Sequence, residues 1–366
     1  MTTAAPTTAA PTTAAQTEPV DPAAGDIRAD QPASPLVARP GAVAATGIDA
    51  GTAWHYGDPL GEQRVLSRGA GVLDRSQRGV LVVPGADRLS WLHSICSQHV
   101  SALTDGDTAH ALVLSPHGHV EQDWQLTELG GQVWLDVEPG TTAAALEYLL
   151  TMRFMKRVEP TDVSAEFAVL SVLGPTSADV LRAAGEVMPG PGRAVARVGG
   201  GFVRSLDDGY DLVVPRPDLA RVAGELLAAG AQPVGAWAAA AHRVERRRPR
   251  LGFETDHRTI PHEIGLIGVA VHLNKGCYRG QETVARVQNL GQPPRRLVLL
   301  QFSGQSDELP EPGTPIELDG RTVGFLGTAV HHHELGPIAL GVVKRTLPDD
   351  AELVVAGQTV AIDPEA

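Results

Sequence analysis

The stretch KGCYRGQETVARVQNLGQPPRRL, Lys275 to Leu297, separates two kinds of secondary structure. It opens with Cys277 between two glycines and two cations, runs into the polar helical pattern QETVARVQ, and stops at Pro293-Pro294. Proline has no N–H to donate and pushes the residue before it out of the helical region, so the helix ends ahead of that pair. Beyond it no helical period returns. RLVLLQFSG, TPIEL, RTVGFLGTAV, IALGVV, ELVVAG and TVAID read as short strands, with Asp319-Gly320 as a hairpin turn. Residues 293–366 are therefore expected to form a small antiparallel barrel or sandwich.

Working back from the same stretch, strands alternate with helices. RGVLVV, the helix DRLSWLHSICSQHV, AHALVLS, HVEQDWQL, QVWLDV and the helix TTAAALEYLLTMRFM give a β-α-β-β-α order. A second round follows in EFAVLSVLG, SADVLRAAG, GFVRSL, YDLVV and PDLARVAGELLAAG. Two such rounds predict an α+β fold over residues 46–292, made of two related antiparallel-sheet/helix subdomains with helices on one face of each sheet. No glycine-rich dinucleotide fingerprint joins the strands, so a Rossmann domain is not indicated. Residues 1–45 repeat Thr, Ala and Pro with few large apolar groups, and are read as a disordered tail.

Composition narrows the function classes. The formal net charge is −13, which disfavours general nucleic-acid binding. Between Arg243 and Arg296, however, eleven Lys or Arg face five Asp or Glu, a basic island suited to an anionic ligand or simply a solvated arginine-rich surface. No apolar run is long enough to predict a membrane span, and no secretory leader pattern opens the chain. Two cysteines, Cys96 and Cys277, leave no disulfide framework and suggest a reducing, cytoplasmic setting. Iron–sulfur clusters usually take about four thiolates, so a monomer with this count is not expected to be an ordinary cluster carrier.

Individual residues carry the chemistry. Lys275 and Arg279 flank Cys277 and could favour its thiolate, as could the following helix N-terminus, and Gly276 and Gly280 permit a tight loop; the same composition also fits an inert, half-buried loop cysteine. Cys96 falls with Leu92, Ile95 and His99 on one helical face and reads as core. Glu245 shares a face with Ala238, Ala241 and His242, which points it inward, while Arg243 and Arg247 point away; pairing of Glu245 with Arg248 on the surface is the alternative. His117 with His119, and His331 to His333, lack zinc spacing, and no metal site is expected.

The loop KGCYRGQE resembles the signature K-G-C-[FY]-x-G-Q-E of YgfZ-type folate-binding proteins, relatives of the glycine-cleavage T-protein linked to iron–sulfur enzymes. Gly71 to Val100 and Val244 to Leu266 are similar to two further segments of that superfamily, in the same order. The resemblance implies a T-protein-like folate-binding module followed by a C-terminal β-barrel. It implies tetrahydrofolate or another folate as cofactor and iron–sulfur client enzymes, including tRNA-thiolating ones, as partners, without direct contact to nucleic acid or membrane. Glu245 would hold the pterin ring, Arg248 and Arg286 the glutamate tail, and Asp123, Tyr278, Gln281 and Glu282 would add ligand contacts. Cys277 would be the reactive centre, activated by Lys275 and Arg279. Asp123 aligns with a pair of adjacent aspartates near the aminomethyl-transfer centre of the T-protein, and here the pair reads Gln122-Asp123. A folate-dependent aminomethyl- or methyltransferase is thus the competing reading, and a non-catalytic adaptor the third.

Overall fold

The computed structural model describes residues 33–304 and 308–363. Seven α-helices occur among them: α1 Pro59–Arg68, α2 Arg88–Ile95, α3 Thr142–Thr151, α4 Ser177–Ala183, α5 Leu219–Ala228, α6 Ala236–Glu245 and α7 Gln281–Leu290. The strands form a five-stranded sheet, a six-stranded sheet, a closed six-stranded barrel and a two-stranded ribbon.

Period-two alternation decides where each sheet residue goes. In the strand Gln132–Val137 of the first sheet, Val133, Leu135 and Val137 pack with Trp91, Leu92 and Ile95 of α2 and Leu149 of α3. The intervening Trp134 faces the other way, onto the second sheet. There its ring meets Phe167 edge-on at 4.9 Å and Phe202 at 5.5 Å. In the second sheet Val203, Leu212 and Val214 face α4 and α5, while Phe202 and Val213 join Trp134 between the sheets. The layers therefore run helix, sheet, sheet, helix, and each sheet has helices on one face as the sequence pattern requires.

The second sheet has an order that the repeat pattern does not reveal. Its strand Gly71–Asp74 lies between Phe167–Leu173, antiparallel, and Gln232–Val234, parallel. A segment that precedes the entire first sheet thus sits inside the second.

The C-terminal strands close as an antiparallel barrel, from Arg295–Phe302 to Gln358–Ile362, around Val298, Leu300, Leu326, Leu353 and Val360. Helix α6 has two buried faces. Ala241 and Val244 pack on Leu299, Ile338 and Leu340 of the barrel, and Ala239, Ala240 and His242 face the space between the sheets.

Residues 1–32, most of the expected tail, lie outside the described residues. Residues 33–45 differ from that expectation. Pro35–Ala38 forms a 3-10 turn, Val43–Ala44 pairs with the strand Ala53–His55, and Leu36, 4% exposed, inserts into the second subdomain's core. The buried Leu36 and Ala45 and the backbone pairing with Ala53–His55 anchor a segment whose composition otherwise reads as unfolded.

Candidate ligand cleft and cysteine loop

A cavity of about 970 Å³ opens between the two sheets and α6. Its apolar wall includes Leu73, Leu173, Leu206, Leu266 and Ala239, and its polar wall belongs to a network of ion pairs between distant segments, with Arg204 and Asp136 behind the lining. Arg78 bonds Asp136 at 2.9 Å and also Glu138. Arg204 joins Asp136 of the first sheet to Asp211 of the second. Arg250 takes Asp49 with two hydrogen bonds, of 2.9 and 2.8 Å, and Glu138 with a third of 2.8 Å. Burial alone would raise the Asp136 carboxyl, but Arg204 and Arg78 outweigh it and hold the group below the usual range. The network is thus charged on both sides and fully paired.

Two cleft residues stand outside that balance. Asp74 is 4% exposed; its Oδ1 accepts the Ser76 N–H at 2.9 Å, and its Oδ2 is buried without a hydrogen-bond partner among the described residues. Burial pushes its carboxyl above the usual range, although the nearby Ser34 and Ser76 hydroxyls, the first just outside good hydrogen-bond geometry, work against the shift. Arg75, 30% exposed, reaches only Asp211 among the described residues, at 3.8 Å, and that carboxylate is already bonded by Arg204 and Ser171. Both residues belong to the cleft lining, Asp74 with an unmatched carboxyl oxygen and Arg75 with guanidinium donors to spare.

Two histidines complete the lining. His110 Nε2 lies 2.8 Å from Asp123 Oδ1. Burial works against the imidazolium, but the Asp123 carboxylate outweighs it and raises the His110 pKa. His242 Nε2 lies 2.8 Å from Asp208 Oδ2, and Arg248 bonds both oxygens of Asp208 at 3.0 Å. Despite burial, the hydrogen bond from His242 and the charge of Arg248 keep Asp208 well below the usual carboxylate range.

Of the residues assigned to the ligand from sequence, Asp123 and Arg248 line this cleft. Glu245 does not. As the last residue of α6 it lies past the cleft, 45% exposed, with its carboxylate 3.7 Å from His332 of the barrel. Arg243, expected on the far side, is in the lining and bonds Glu254 at 2.8 Å. The single-face reading of α6 failed because the barrel and the cleft bury different faces of it.

Gln122 and Asp123 point to opposite sides of the strand Val120–Leu129. Gln122 accepts the Trp124 indole N–H at 2.8 Å in the core, so the neutral member of the pair removes no charge from the cleft. Tyr278 is buried with Leu112, Leu114 and Val284, and burial raises its pKa to about 12; Gln281, Glu282 and Arg286 belong to α7 and do not line the cavity. The basic island is likewise not a free anion site. Arg248, Arg250, Arg279 and Arg296 pair with acids from outside the island, and Arg243 and Arg295 with its own Glu254 and Glu263.

Cys277 is exposed on its loop, and Cys96 is buried. Neither flanking cation is left to serve the thiol. Arg279 bonds Glu121 at 2.9 Å. Lys275, 8% exposed, turns inward and donates its ammonium to the carbonyls of His93 and Cys96 and, at 3.0 Å, of Gln98, with Nζ 4.9 Å from the Tyr278 ring centroid. The first two carbonyls belong to the end of α2, which stops at Ile95 rather than continuing through Cys96 and His99. Lysine at a helix C-terminus satisfies oxygens that have no intrahelical donor. Gly280 has φ +82°, and a Cβ there would come within 2.6 Å of the Ser115 carbonyl oxygen. Its small size serves the docking of this loop on the 115–118 turn, whereas Gly276 is in open surroundings, with only His93 near its Cβ position at 3.9 Å.

Sequence reasoning missed His110, Asp208, His242, Asp74 and Arg75. Only the last two carried a signal, since they fall in the quoted segment Gly71 to Val100. No helix among the described residues is long and apolar enough to cross a membrane, and none of their His, Cys, Asp and Glu side chains form a cluster suited to a metal ion.

Comparison with known proteins places these features. Residues 42–189 match the family model "GCVT N-terminal domain", and residues 295–365 match "CAF17, C-terminal beta-barrel domain". The chain is 28% identical over 331 residues to an aminomethyltransferase of Symbiobacterium thermophilum, covering 83% of this chain and 87% of that protein. It is 27% identical over 331 residues to one of Herpetosiphon aurantiacus, covering 85% and 90%. The solved aminomethyltransferase T of the glycine cleavage system from Bartonella henselae superposes with a TM-score of 0.79 at 20% identity, covering 89% of this chain and 94% of that one, a likeness of fold. The chain thus carries a GCVT-type N-terminal domain within its α+β module and, joined to it, a CAF17-type C-terminal β-barrel.

Proposed function

We propose that the chain binds a folate in the central cleft and acts as a cytoplasmic accessory protein for iron–sulfur enzymes, including those that thiolate tRNA. The observation that carries the folate reading is the pair Asp74 and Arg75. A pterin ring presents N–H groups and a carbonyl, and the lining residues Asp74 and Arg75 supply a carboxyl and a guanidinium of the kinds that pair with them. The cavity of about 970 Å³ is at the upper end of the range for sites of small-molecule cofactors, and its leucine wall suits a flat aromatic ring. Arg248, 39% exposed and the most exposed of the cleft's arginines, gives one nitrogen to Asp208 and would turn its remaining donors to the carboxylates of the tail. Bound tetrahydrofolate supplies amine nitrogens that carry one-carbon units. The accessory role draws support from the likeness to the CAF17-type barrel and from cysteine placement: one exposed thiol, Cys277, is suited to meet a client protein, while Cys96 is buried.

Titration calorimetry with tetrahydrofolate tests this. Arg75→Ala should weaken binding at least about tenfold, the loss expected for a charge-assisted hydrogen bond. Glu245→Ala should stay within about twofold, because the residue is outside the cleft. Absence of binding by the unmodified protein overturns the folate reading and favours the adaptor.

A second reading, one-carbon transfer in the same cleft, draws support from His110 and Asp123, an imidazole–carboxylate pair able to hold or move a proton at His110 Nε2. Turnover of an aminomethyl donor that is lost in Asp123→Asn would favour it.

A further inference from the structure

The segment 96–99 lies between the cleft and the cysteine loop. On the cleft side Gln98 and His99 line the cavity, and Gln98 Nε2 donates to the His110 carbonyl at 3.1 Å and to the Val269 carbonyl at 2.8 Å. Ser97 ties the segment to the first sheet: its N–H bonds the Leu112 carbonyl at 2.9 Å, and its hydroxyl accepts the Leu112 N–H at 2.8 Å. The same hydroxyl donates to the Ala270 carbonyl at 2.6 Å, and the Ser97 carbonyl accepts the His272 N–H at 3.0 Å. On the far side the Lys275 ammonium bonds the carbonyls of His93, Cys96 and Gln98. An ammonium has three donors, and three carbonyls use them all. None remains to stabilise a thiolate at Cys277, two residues away.

We propose that Lys275 is a positioning residue: it locks the Cys277 loop to the segment that forms the cleft wall, so that the state of the cleft and the reactivity of Cys277 are coupled. Residues 96–99 form a short strap with a cavity on one side and a loop on the other. A ligand that moves or stiffens Gln98 and His99 displaces the carbonyls that Lys275 holds. The loop then has to follow, because an ammonium buried without acceptors is strongly disfavoured. The identity of that ligand rests on the folate reading above; the mechanical link does not.

The experiment measures the rate at which iodoacetamide alkylates Cys277, with the site located by peptide mapping. Saturating 5-formyltetrahydrofolate should change the rate in the unmodified protein at least about fivefold, the lower end of common coupling strengths. In Lys275→Met the same ligand should still bind but leave the rate unchanged. Gln98→Ala disturbs only the cleft side, and in ligand-free protein it should also change the Cys277 rate. The double variant should do no more than Lys275→Met alone. Equal rates in the unmodified protein and Gln98→Ala, or an undiminished ligand response in Lys275→Met, overturn the coupling. If calorimetry detects no folate binding, the cofactor reading falls, and the Gln98→Ala comparison still decides the link. That comparison also stands if Lys275→Met fails to fold.

Discussion

The cleft and the cysteine loop are built on opposite plans. The cleft is assembled from residues far apart in sequence, and nearly every charge in it is neutralised by another, with Asp74 and Arg75 as the lining residues least fully partnered. The loop is one contiguous motif whose cations are spent on structure, which leaves an exposed thiol at its tip. The contrast teaches that a recognisable motif marks where a loop is held, whereas binding capacity resides where pairing is incomplete.

Three further perturbations test that contrast, in falling order of effect. Arg204→Met should be the most damaging, because it strands Asp136 and Asp211, 3% and 1% exposed, without their shared partner. A loss of about 3–5 kcal/mol in unfolding free energy is expected from urea titration, and a loss under about 1 kcal/mol would mean that the charged layer between the sheets is not a structural unit. Next is pH. The His110 pKa is raised in the folded state, so its contribution is fully present below the unfolded histidine pKa and fades as pH rises through the folded value. Asp123→Asn should therefore cost roughly 1 kcal/mol more at pH 5.5 than at pH 8.5. An equal cost at both values would mean that the pair is a neutral hydrogen bond. Smallest is Cys277→Ala, which should alter thermal stability by no more than about 0.5 kcal/mol, as befits an exposed position. A larger loss would make the thiol part of the loop's packing.

Much of the architecture was legible because it is local. Alternation in QVWLDV places Trp134 and Asp136 on the same face, and the Pro293-Pro294 break separates helices from barrel strands. The strand Gly71–Asp74 was not legible, since four residues buried on both faces carry no alternation and its partners come later in the chain. The candidate site was less legible still. Glu245 was placed inward by a one-face helix argument that the barrel invalidates. The arginine-rich island looked like an anion site because its neutralising acids, such as Asp49 for Arg250, are remote in sequence. Lys275 was read as a thiol activator because its actual partners are backbone carbonyls, which leave no trace in residue identity.

The placement of Gly71–Asp74 also bears on how the molecule is made. Its parallel neighbour Gln232–Val234 lies about 160 residues downstream, so at roughly 5–20 residues per second a ribosome takes some ten to thirty seconds to deliver it. During that interval the first sheet, from Gly79 to Asp162, has all its strands, while the strand just ahead of it waits with an open edge. A fragment cut at the boundary of the N-terminal family match, residue 189, would retain that open edge permanently, and is expected to aggregate rather than fold as an independent unit.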